Sequence, residues 1–528
     1  MTHISRSLVL GCSILALSAC GPEGIASPGT GGNVTINEGD NIVNNPAPTP
    51  TPTPTPTQTL VTPANGCPTI SDSQGLTDEG TITGPEGTWR VCALPAVVQA
   101  SSTLTQVPGL LYRLPGRVDV GVDGGPANVG NDTNVTLTVQ PGVIIYSSGS
   151  AFLNVTRGNK INANGTAAKP IIMTSRDNVL GLNNANSSGQ WGGLVLSGRA
   201  KVTDCFQPLA TPGTLDCERR VEGASPNTFF GGITNNDNSG SVSYMQIRYS
   251  GFVLSGDDEL QSLTTGGVGS GTTLHHIQSV NSSDDGVEFF GGNVNIKNLI
   301  IAGAEDDGLD SDTGVKLNMQ FVLVAQRPGV GDTAIEADSN NGLYQQTPRQ
   351  NTKLVNATLI QRNARDQVVR IRGGTDYGIF NSVIIDQGST ATPCIRIDQA
   401  ETAALTNPGG DEAGPPVFQS VALQCATNFR NGSDGGPTAA EAEAIFDAGT
   451  GNNKAFVNTL VANYLNGDNE NNFTPLFNVT GLSDFFVAST FLGAVSATDN
   501  WTQGWTCDSL AITFGGNTGS CSALPVFN

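Results

Sequence analysis

The sequence predicts an all-β protein built as a parallel β-helix, in which short strands stack coil upon coil. The first observation is composition: only 13% of the 528 residues are charged and 66 are glycine, which is typical of turn-rich β structure and not of helical bundles. The second is repetition, because five similar segments recur 22 to 34 residues apart. That spacing fits one coil of two or three strands with their turns. A β-sandwich is the alternative, but it would not keep this register.

The N-terminus predicts export and lipid attachment. Arg6 precedes an apolar stretch, Leu8 to Leu17, that is too short for a permanent membrane span. The following Leu17-Ser-Ala-Cys20 resembles the lipobox of bacterial lipoproteins, which implies a signal peptide over residues 1–19 and acylation, including palmitate, on Cys20. Gly21 after the cysteine implies, by the same resemblance, sorting to the outer membrane. The alternative is an ordinary secretory signal with a chance cysteine.

A linker separates this anchor from the folded body. Residues 20–66 are rich in Gly and Asn and then carry a Thr-Pro repeat from Pro48 to Pro56. Such a segment cannot bury a core, and alternating proline keeps it extended. We therefore expect a lipid-anchored tether over 20–66 and one β-helical body with a C-terminal cap over 67–528.

Cysteine usage agrees with export. Apart from Cys12 in the signal and Cys20, eight cysteines remain, and an even number in an exported chain predicts disulfides. Eight cysteines allow many pairings, of which we expect the nearest-neighbour set: Cys67–Cys92, Cys205–Cys217, Cys394–Cys425 and Cys507–Cys521. The absence of any Cys-x-x-Cys word argues against structural zinc.

The formal net charge of −21 limits the possible partners. Such a chain repels phosphate, so nucleic acid is excluded as a ligand. It favours solubility and bound cations.

The repeated segments predict which side chains form the core. They begin at Ser283, Glu305, Gly331, Arg365 and Thr392. Side chains alternate between the two faces of a strand, so the apolar positions should point inward. One inward column is Val287, Leu309, Ile335, Val369 and Ile395; the second is Phe289, Ser311, Ala337, Ile371 and Ile397.

The alternate positions should point outward and stack about 4.8 Å apart. The first outward column is Glu288, Asp310, Glu336, Arg370 and Arg396; the second is Asp312, Asp338, Arg372 and Asp398. Three interpretations stay open: solvated charge on the surface of a solenoid, a binding surface, or catalysis. A catalytic face would use Glu288, Asp310 and Glu336 with Arg370, Arg372 and Arg396.

Pairs of aspartates precede two of these strands. Asp284-Asp285 and Asp306-Asp307 lie 22 residues apart, so they should stack at one turn, and Asp332 and Asp366 should continue the column. Such side chains often bond their own backbone in turns. Stacked carboxylates also repel each other, and Ca²⁺ would relieve the repulsion. The four paired aspartates are therefore a candidate calcium site.

Four further expectations concern single segments. In the pair His275-His276, one ring should face solvent. Trp501 and Trp505 should close the last coil, whose strand edges would otherwise be open. Loops over Arg327–Gln361 and Thr402–Gln419 are candidate walls of a cleft beside the outward columns.

Three groups of residues carry a resemblance to a known family: Gln190-Trp-Gly-Gly-Leu-Val195, Ser283-Asp-Asp-Gly-Val-Glu-Phe-Phe-Gly-Gly292, and Phe491-Leu-Gly-Ala-Val495 with Trp501-Thr-Gln-Gly-Trp-Thr506. They resemble exported, pectin-lyase-like β-helix lipoproteins of Gram-negative bacteria. The resemblance implies a right-handed parallel β-helix on an outer-membrane lipoprotein. It implies no reaction, because the family has no agreed activity.

These observations favour a non-catalytic function. We expect an outer-membrane protein, on the cell surface or the periplasmic face, that binds a glycan or another ligand, or assists an outer-membrane transporter or adhesion. The alternative is a Ca²⁺-assisted polysaccharide lyase or glycoside hydrolase acting on the outward columns. A cleft walled by loops would favour the enzyme, and a flat charged face would favour the binding protein.

Overall fold

Parallel stacking of short strands into two sheets organises most of the chain. The structure, a computed structural model, describes residues 60–527 except 128–129, 131, 223, 225, 256–257, 341, 389–391 and 516. The predicted signal peptide, Cys20 and the Thr-Pro tether lie outside these residues. Sheet 1 has 15 strands and sheet 2 has 11. Each coil contributes strands to both sheets, so the fold is the predicted all-β parallel β-helix.

Sheet 1 contains the longer strands. They are β1 (Thr77–Gly84), β2 (Gly87–Ala93), β4 (Ser102–Leu104), β5 (Leu110–Arg113), β7 (Thr136–Val139), β8 (Ile144–Ser147), β10 (Lys160–Asn164), β11 (Ile171–Ser175), β15 (Gly240–Arg248), β19 (Thr273–Val280), β21 (Asn293–Ala302), β23 (Lys316–Ala325), β25 (Asn351–Gln361), β27 (Asp376–Asp386) and β29 (Val417–Gln424). All neighbours in this sheet are parallel except β1 and β2, an antiparallel hairpin at its N-terminal edge.

Sheet 2 contains the shorter strands. They are β3 (Val97–Val98), β6 (Val118–Val120), β9 (Phe152–Val155), β12 (Gly193–Ser197), β18 (Leu263–Gly266), β20 (Val287–Phe290), β22 (Leu309–Asp312), β24 (Ile335–Ala337), β26 (Val369–Ile371), β28 (Pro393–Ile397) and β30 (Thr427–Arg430). Two hairpins lie outside both sheets: β13 (Arg219–Arg220) with β14 (Phe229–Phe230), and β16 (Val253–Ser255) with β17 (Asp258–Glu259).

The long strands of sheet 1 bend at one residue per coil. In seven successive coils this residue has φ between 48° and 61°: Tyr244, His276, Asn298, Phe321, Asn356, Asn381 and Ser420. Asn occurs at three of these positions, and its short polar side chain tolerates the left-handed conformation better than most residues. The bend divides sheet 1 into a first half before it and a second half after it. Each coil therefore presents three outer faces.

The predicted inward columns form the core. Their members are register partners on β20, β22, β24, β26 and β28, and every one of the ten side chains is fully buried. Complete burial of one such aliphatic side chain contributes about 1.5–3 kcal/mol. The register between Val287, Leu309 and Ile335 is the one that the sequence repeat predicts.

The four predicted disulfides are present: Cys67–Cys92, Cys205–Cys217, Cys394–Cys425 and Cys507–Cys521. Each joins sequence-adjacent cysteines, as expected.

Helices are few and short. They are α1 (Arg176–Val179), α2 (Ala439–Asp447) and α3 (Asp468–Asn471), with 3₁₀ turns at Ala400–Ala403, Pro408–Gly410 and Val479–Gly481. Within the described part of the chain, no helix has the length and apolar character needed to traverse a bilayer.

Helix α2 covers the C-terminal end of the coil stack. Its N-terminus is a capping box, in which the Thr438 side chain accepts from Glu441 N and the Glu441 side chain accepts from Thr438 N. Phe446 packs against Phe418 and Phe429, with ring centres 5.3 and 5.4 Å apart. The apolar face of the helix thus shields the last strands.

After α2 the chain returns along the outside of the coils. Residues 456–527, here called the C-terminal strap, pack first on β27 and β29 through Phe456 and last on β2 through Leu524. Side-chain amides of the coils bond the strap backbone: Gln320 pairs with Val487 N and O, and Gln278 with Cys507 N and O. The second half of sheet 1 is therefore buried on both faces.

Trp501 and Trp505 belong to this strap, so the expectation that they close the last coil is wrong. Trp505 is fully buried against the middle coils, with its ring centre 5.7 Å from that of His276 and 6.0 Å from that of Tyr244. Its Nε1 donates to Trp501 O at 2.8 Å. The end of the stack is closed by α2 instead.

We predict that Trp505→Ala lowers the free energy of unfolding by about 3–5 kcal/mol, because a large buried side chain is removed. Hydrogen exchange should accelerate in β15 and β19, which lie under the tryptophan, while α2 and β30 keep their protection. Trp501→Phe, which retains most of the apolar volume, serves as the control. Faster exchange confined to the last coil would contradict a strap and support a terminal cap.

Candidate functional site

The two outward columns lie on the outer face of sheet 2 in the predicted register. Glu288, Asp310 and Glu336 are successive partners on β20, β22 and β24, and Arg370 and Arg396 follow on β26 and β28. In-register stacking brings like-charged side chains within contact of each other. The face, here called the charged ladder, has a carboxylate end and an arginine end.

Ion pairs fill the arginine end. Arg372 Nη1 lies 2.7 Å from Glu336 Oε1, and Arg370 Nη1 lies 3.3 Å from Glu336 Oε2. Asp398 accepts from Arg370 Nε at 2.8 Å and from Arg396 Nε at 2.7 Å. Asp338 also lies 3.3 Å from Arg372. Opposite charges are therefore balanced at this end.

These contacts shift the pKa values of the paired groups. Burial alone would lower the pKa of Arg370, but Glu336 and Asp398 raise it above its usual range. Burial would likewise lower the pKa of Arg372, and Asp338 and Glu336 raise it. Burial acts to raise the pKa of Asp398, but hydrogen bonds from Ser433, Arg370 and Arg396 lower it. The charged forms are thus stabilised.

At the carboxylate end, no ion pair joins Asp285, Glu288 or Asp310 to a cationic side chain among the residues that the structure describes. Asp285 and Glu288 are only 6% and 7% exposed. Burial, reinforced by Asp284 and Glu288, raises the pKa of Asp285 well above its usual range. Burial, with the charges of Glu336 and Asp307, does the same to the pKa of Asp310. Solvation therefore does not explain this end of the ladder, and perturbed carboxyls of this kind are typical of functional sites.

The paired aspartates stack at one turn, as expected, but they do not bond their own backbone. Asp307 N donates to Asp285 Oδ1 at 2.8 Å, and Thr333 N donates to Asp307 Oδ1 at 2.7 Å. Each side chain thus joins its coil to the next one. Burial raises the pKa of Asp284 to about 7, with support from Glu259 and Asp306.

Segments from elsewhere in the chain complete the carboxylate end. Residues 199–232, tied by Cys205–Cys217, pack on Phe290 and other outer side chains of sheet 2. From this covering segment the Arg219 guanidinium lies 5.4 Å from the ring centre of Phe290. Burial raises the pKa of Glu288, and the nearby charge of Glu222 raises it further. The covering segment therefore helps to bury the carboxylate end of the ladder.

The predicted walls differ from those observed. Within Arg327–Gln361, Ser339 and Gln346 contact Thr203 and Asp204 of the covering segment. The insertion Thr402–Gln419 does not wall the ladder. It lies on the first half of sheet 1, where Glu412 meets Arg349 at 2.8 Å.

The carboxylate end can supply ligands for hard cations. Three overlapping groups place one carboxylate oxygen of each member within 4.8 Å of the others: Asp284, Asp285 and Asp306; Asp285, Glu288 and Asp310; and Asp306, Asp307 and Asp332. Calcium takes oxygen ligands at about 2.3–2.6 Å, so two oxygens on one ion are at most about 5 Å apart. All-oxygen donor sets suit Ca²⁺ and not Zn²⁺.

The sequence placed the four paired aspartates in this site but assigned Glu288 and Asp310 to a separate role. The structure joins both sets through Asp285. Glu222 and Glu259 reach the site from distant segments, and no repeat in the sequence signals them.

In the described part of the chain, the histidine pair does not belong to any group of three or more possible metal ligands. The positive φ at His276 brings both rings to the same side, with Nδ1 atoms 2.8 Å apart, so neither stands free in solvent. Burial lowers the pKa of His276 to about 4, and the neighbouring His275 lowers it further. Stacking on Tyr244 at 4.3 Å gives the pair a packing role under the strap.

Comparison with known proteins agrees with this architecture. A family model described as a pectate-lyase like beta helix domain matches residues 125–506, which is most of the chain and includes the whole charged ladder. No curated protein and no solved structure gives a significant match.

The carboxylate end predicts a stability that depends on pH and calcium. A carboxyl with a raised pKa binds more protons in the folded state than in the unfolded state. Without metal, stability should therefore fall as pH rises from the unfolded pKa near 4 through about 7, the value for Asp284. Ca²⁺ should restore it, by about 2.7 kcal/mol at a concentration of 100 times Kd.

Thermal melts in EDTA and in Ca²⁺, at pH about 5.5 and about 8, measure this effect. Asp310→Asn should raise the midpoint in EDTA at the higher pH, because it removes repulsion, and should abolish the Ca²⁺ response. Asp447→Asn, which alters an exposed carboxylate paired with Lys454, is the control. An equal Ca²⁺ response in the wild type and Asp310→Asn would contradict a cation bound by Asp285, Glu288 and Asp310.

Proposed function

Because the chain belongs to the pectate-lyase-like β-helix domain family, we propose that it is an exported, lipid-anchored protein that binds an anionic polysaccharide through cations on the charged ladder. The single observation that supports this most is the carboxylate group of Asp285, Glu288 and Asp310, whose oxygens lie within 4.8 Å of one another beside a row of arginines. The bound cations at the carboxylate end and the guanidinium groups at the arginine end would both face the ligand.

The two ends of the ladder supply complementary chemistry. A divalent cation bound at the carboxylate end would accept sugar carboxylates as further ligands. Ca²⁺ binds roughly 6–8 oxygen ligands, and the protein carboxylates would fill only part of that number. Arg370 and Arg372 keep 22% of their side-chain surface exposed. The exposed part of each guanidinium can donate hydrogen bonds to an anionic sugar while the ion pairs to Glu336 stay in place. A ligand laid along the coil axis would contact both ends.

The raised pKa of Glu288 and its distance from Asp310 support a second candidate function, a glycoside hydrolase. Burial and Glu222 raise the pKa of Glu288, so this carboxyl holds its proton and could serve as a general acid. Its oxygens also lie within 4.8 Å of those of Asp310, closer to the retaining spacing of about 5–5.5 Å than to the inverting one. A lyase gains less support, because an arginine base must lose its proton and the pKa values of Arg370 and Arg372 are raised.

The membrane location rests on the N-terminal sequence. Lipid on Cys20 and an extended linker over 20–66 would hold the β-helix away from an outer membrane. From there the ladder could capture polysaccharide at the cell surface or in the periplasm. An outer-membrane transporter that receives the polysaccharide is part of this proposal.

We predict that polygalacturonate or alginate in the gel retards the full-length protein during affinity electrophoresis with Ca²⁺ and not with EDTA. Arg370→Gln combined with Arg372→Gln should weaken binding about tenfold or more, because the anion loses its donors. Arg113→Gln, which alters a partly exposed arginine of β5 that is paired with Glu79 and lies away from the ladder, is the matched control. Equal binding in EDTA, or equal loss in the control, would contradict the proposal.

The same samples separate binding from catalysis. Reducing ends that increase with time, and that disappear in Glu288→Gln, would establish the hydrolase. Binding with no increase in reducing ends would establish the non-catalytic function.

Cys20→Ser should abolish labelling of the protein with a palmitate analogue in a Gram-negative host and release it from the outer-membrane fraction. Cys12→Ser, within the signal peptide, should leave both unchanged. Retention of Cys20→Ser in the membrane fraction would contradict the lipid anchor.

A further inference from the structure

The first half of sheet 1 presents an outer face with chemistry unlike that of the charged ladder. Two of its columns are rich in amides and amines and run along consecutive coils. One column is Asn293, Lys316, Asn351 and Asp376, and the other is Asn295, Asn318, Lys353 and Gly378. In a chain with a net charge of −21, this is a concentration of hydrogen-bond donors.

A groove lies over the C-terminal part of this face. Its main cavity, about 430 Å³, has a floor formed by β25, β27 and β29. A second cavity of about 440 Å³ continues it toward α2 and shares Pro415, Val417 and Gln419 with the first. Cavities of this size accommodate small ligands or one or two sugar rings each.

Two segments that are distant in sequence form the walls. On one side Ala413 N donates to Asp376 Oδ1 at 3.1 Å, which seats the insertion Thr402–Gln419 against the sheet. On the other side the C-terminal strap contributes Phe477 and Leu482. The insertion that the sequence suggested as a wall of the ladder is therefore a wall of this groove.

The polar groups of the groove are placed for hydroxyls. Lys353 Nζ donates to Asn351 Oδ1 at 3.0 Å, so an ammonium and an amide stand side by side on the floor. Among the described residues, no carboxylate lies within ion-pair distance of Lys353. Burial lowers the pKa of Lys353, and the nearby Lys316 lowers it further. A bound acceptor would compensate for this desolvation.

The apolar groups lie beside these polar ones. Gly378 leaves the floor flat, and the Phe380 ring leans over it, since a Cβ at Gly378 would meet this ring at 2.6 Å. The centre of the Phe380 ring lies 5.3 Å from that of Phe477. Val417 remains 43% exposed at the junction of the two cavities. An aromatic surface next to donor and acceptor groups matches a molecule with one C–H face and equatorial hydroxyls.

We infer that this groove is a second carbohydrate-binding site that takes a neutral saccharide chain. The hydroxyls would bind Lys353, Asn351 and Gln419, and the C–H faces of the rings would lie on Phe477 and Val417, with the buried Phe380 supporting Phe477 from beneath. Asp376, which lines the groove, disfavours an anionic chain. The site does not depend on the function proposed for the charged ladder, because it lies on a different face of the coils.

Isothermal titration of the full-length protein with cellohexaose, xylohexaose and mannohexaose tests this site. At least one hexasaccharide should bind, and Lys353→Met and Phe477→Ala should each weaken its binding about tenfold or more. Lys454→Met, which changes an exposed lysine near α2, should leave the affinity within about twofold. Thermal midpoints of the variants confirm that they fold.

Asp285→Asn combined with Asp310→Asn distinguishes the two sites. It should leave hexasaccharide binding unchanged even if it abolishes Ca²⁺-dependent binding of polygalacturonate. The inference is overturned if none of the three hexasaccharides binds, if Lys353→Met and Phe477→Ala both bind as the wild type does, or if the ladder variant loses the binding.

Discussion

The structure depends on one constraint: parallel coils stack in register about 4.8 Å apart, so a residue type repeated in sequence becomes a column in space. Inside the coil this favours stability, because apolar columns such as Val287, Leu309 and Ile335 interlock without polar atoms. Outside the coil the same geometry forces charges together. Two like charges at this spacing repel by about 3–4 kcal/mol at an effective dielectric constant of 20.

The repulsion between stacked charges is compensated differently at the two ends of the ladder. Around Glu336, Arg370 and Asp398 the two columns bring opposite charges side by side, and ion pairs of 2.7 to 3.3 Å neutralise them. At Glu288 and Asp310 the neighbours on adjacent coils are carboxylates, so the balance has to come from protons or cations. The change occurs within one coil. The candidate site therefore lies where neighbouring coils no longer supply opposite charges.

Local features could be read from the sequence, and non-local ones could not. The inward columns and the ladder register join neighbouring coils, so repeat spacing was enough to predict them, and each disulfide joins cysteines that are neighbours in the sequence. The strap packs on strands more than 200 residues away, as the bond between Gln278 and Cys507 illustrates. Nothing in the repeat encodes that contact. For the same reason Trp505 was misplaced, and the roles of Glu222 and the insertion Thr402–Gln419 were invisible.

The aspartate pairs show why the site itself was only half predicted. Their spacing predicted the stacking. A carboxylate has two oxygens, however, and the sequence does not tell which of them bonds the neighbouring coil and which stays available to a ligand. Oδ1 of Asp285 accepts the backbone N–H of the next coil, and Oδ1 of Asp307 accepts both donors of Thr333. Structural and ligand roles are thus combined in one side chain at the turn. On the ladder the structural role and the proposed ligand role fall on different residues. Within the described structure, neither Glu288 nor Asp310 accepts a main-chain hydrogen bond from a neighbouring coil. Substitution of Glu288 or Asp310 therefore breaks no main-chain contact between coils, so these two residues test the proposed binding while the fold is kept.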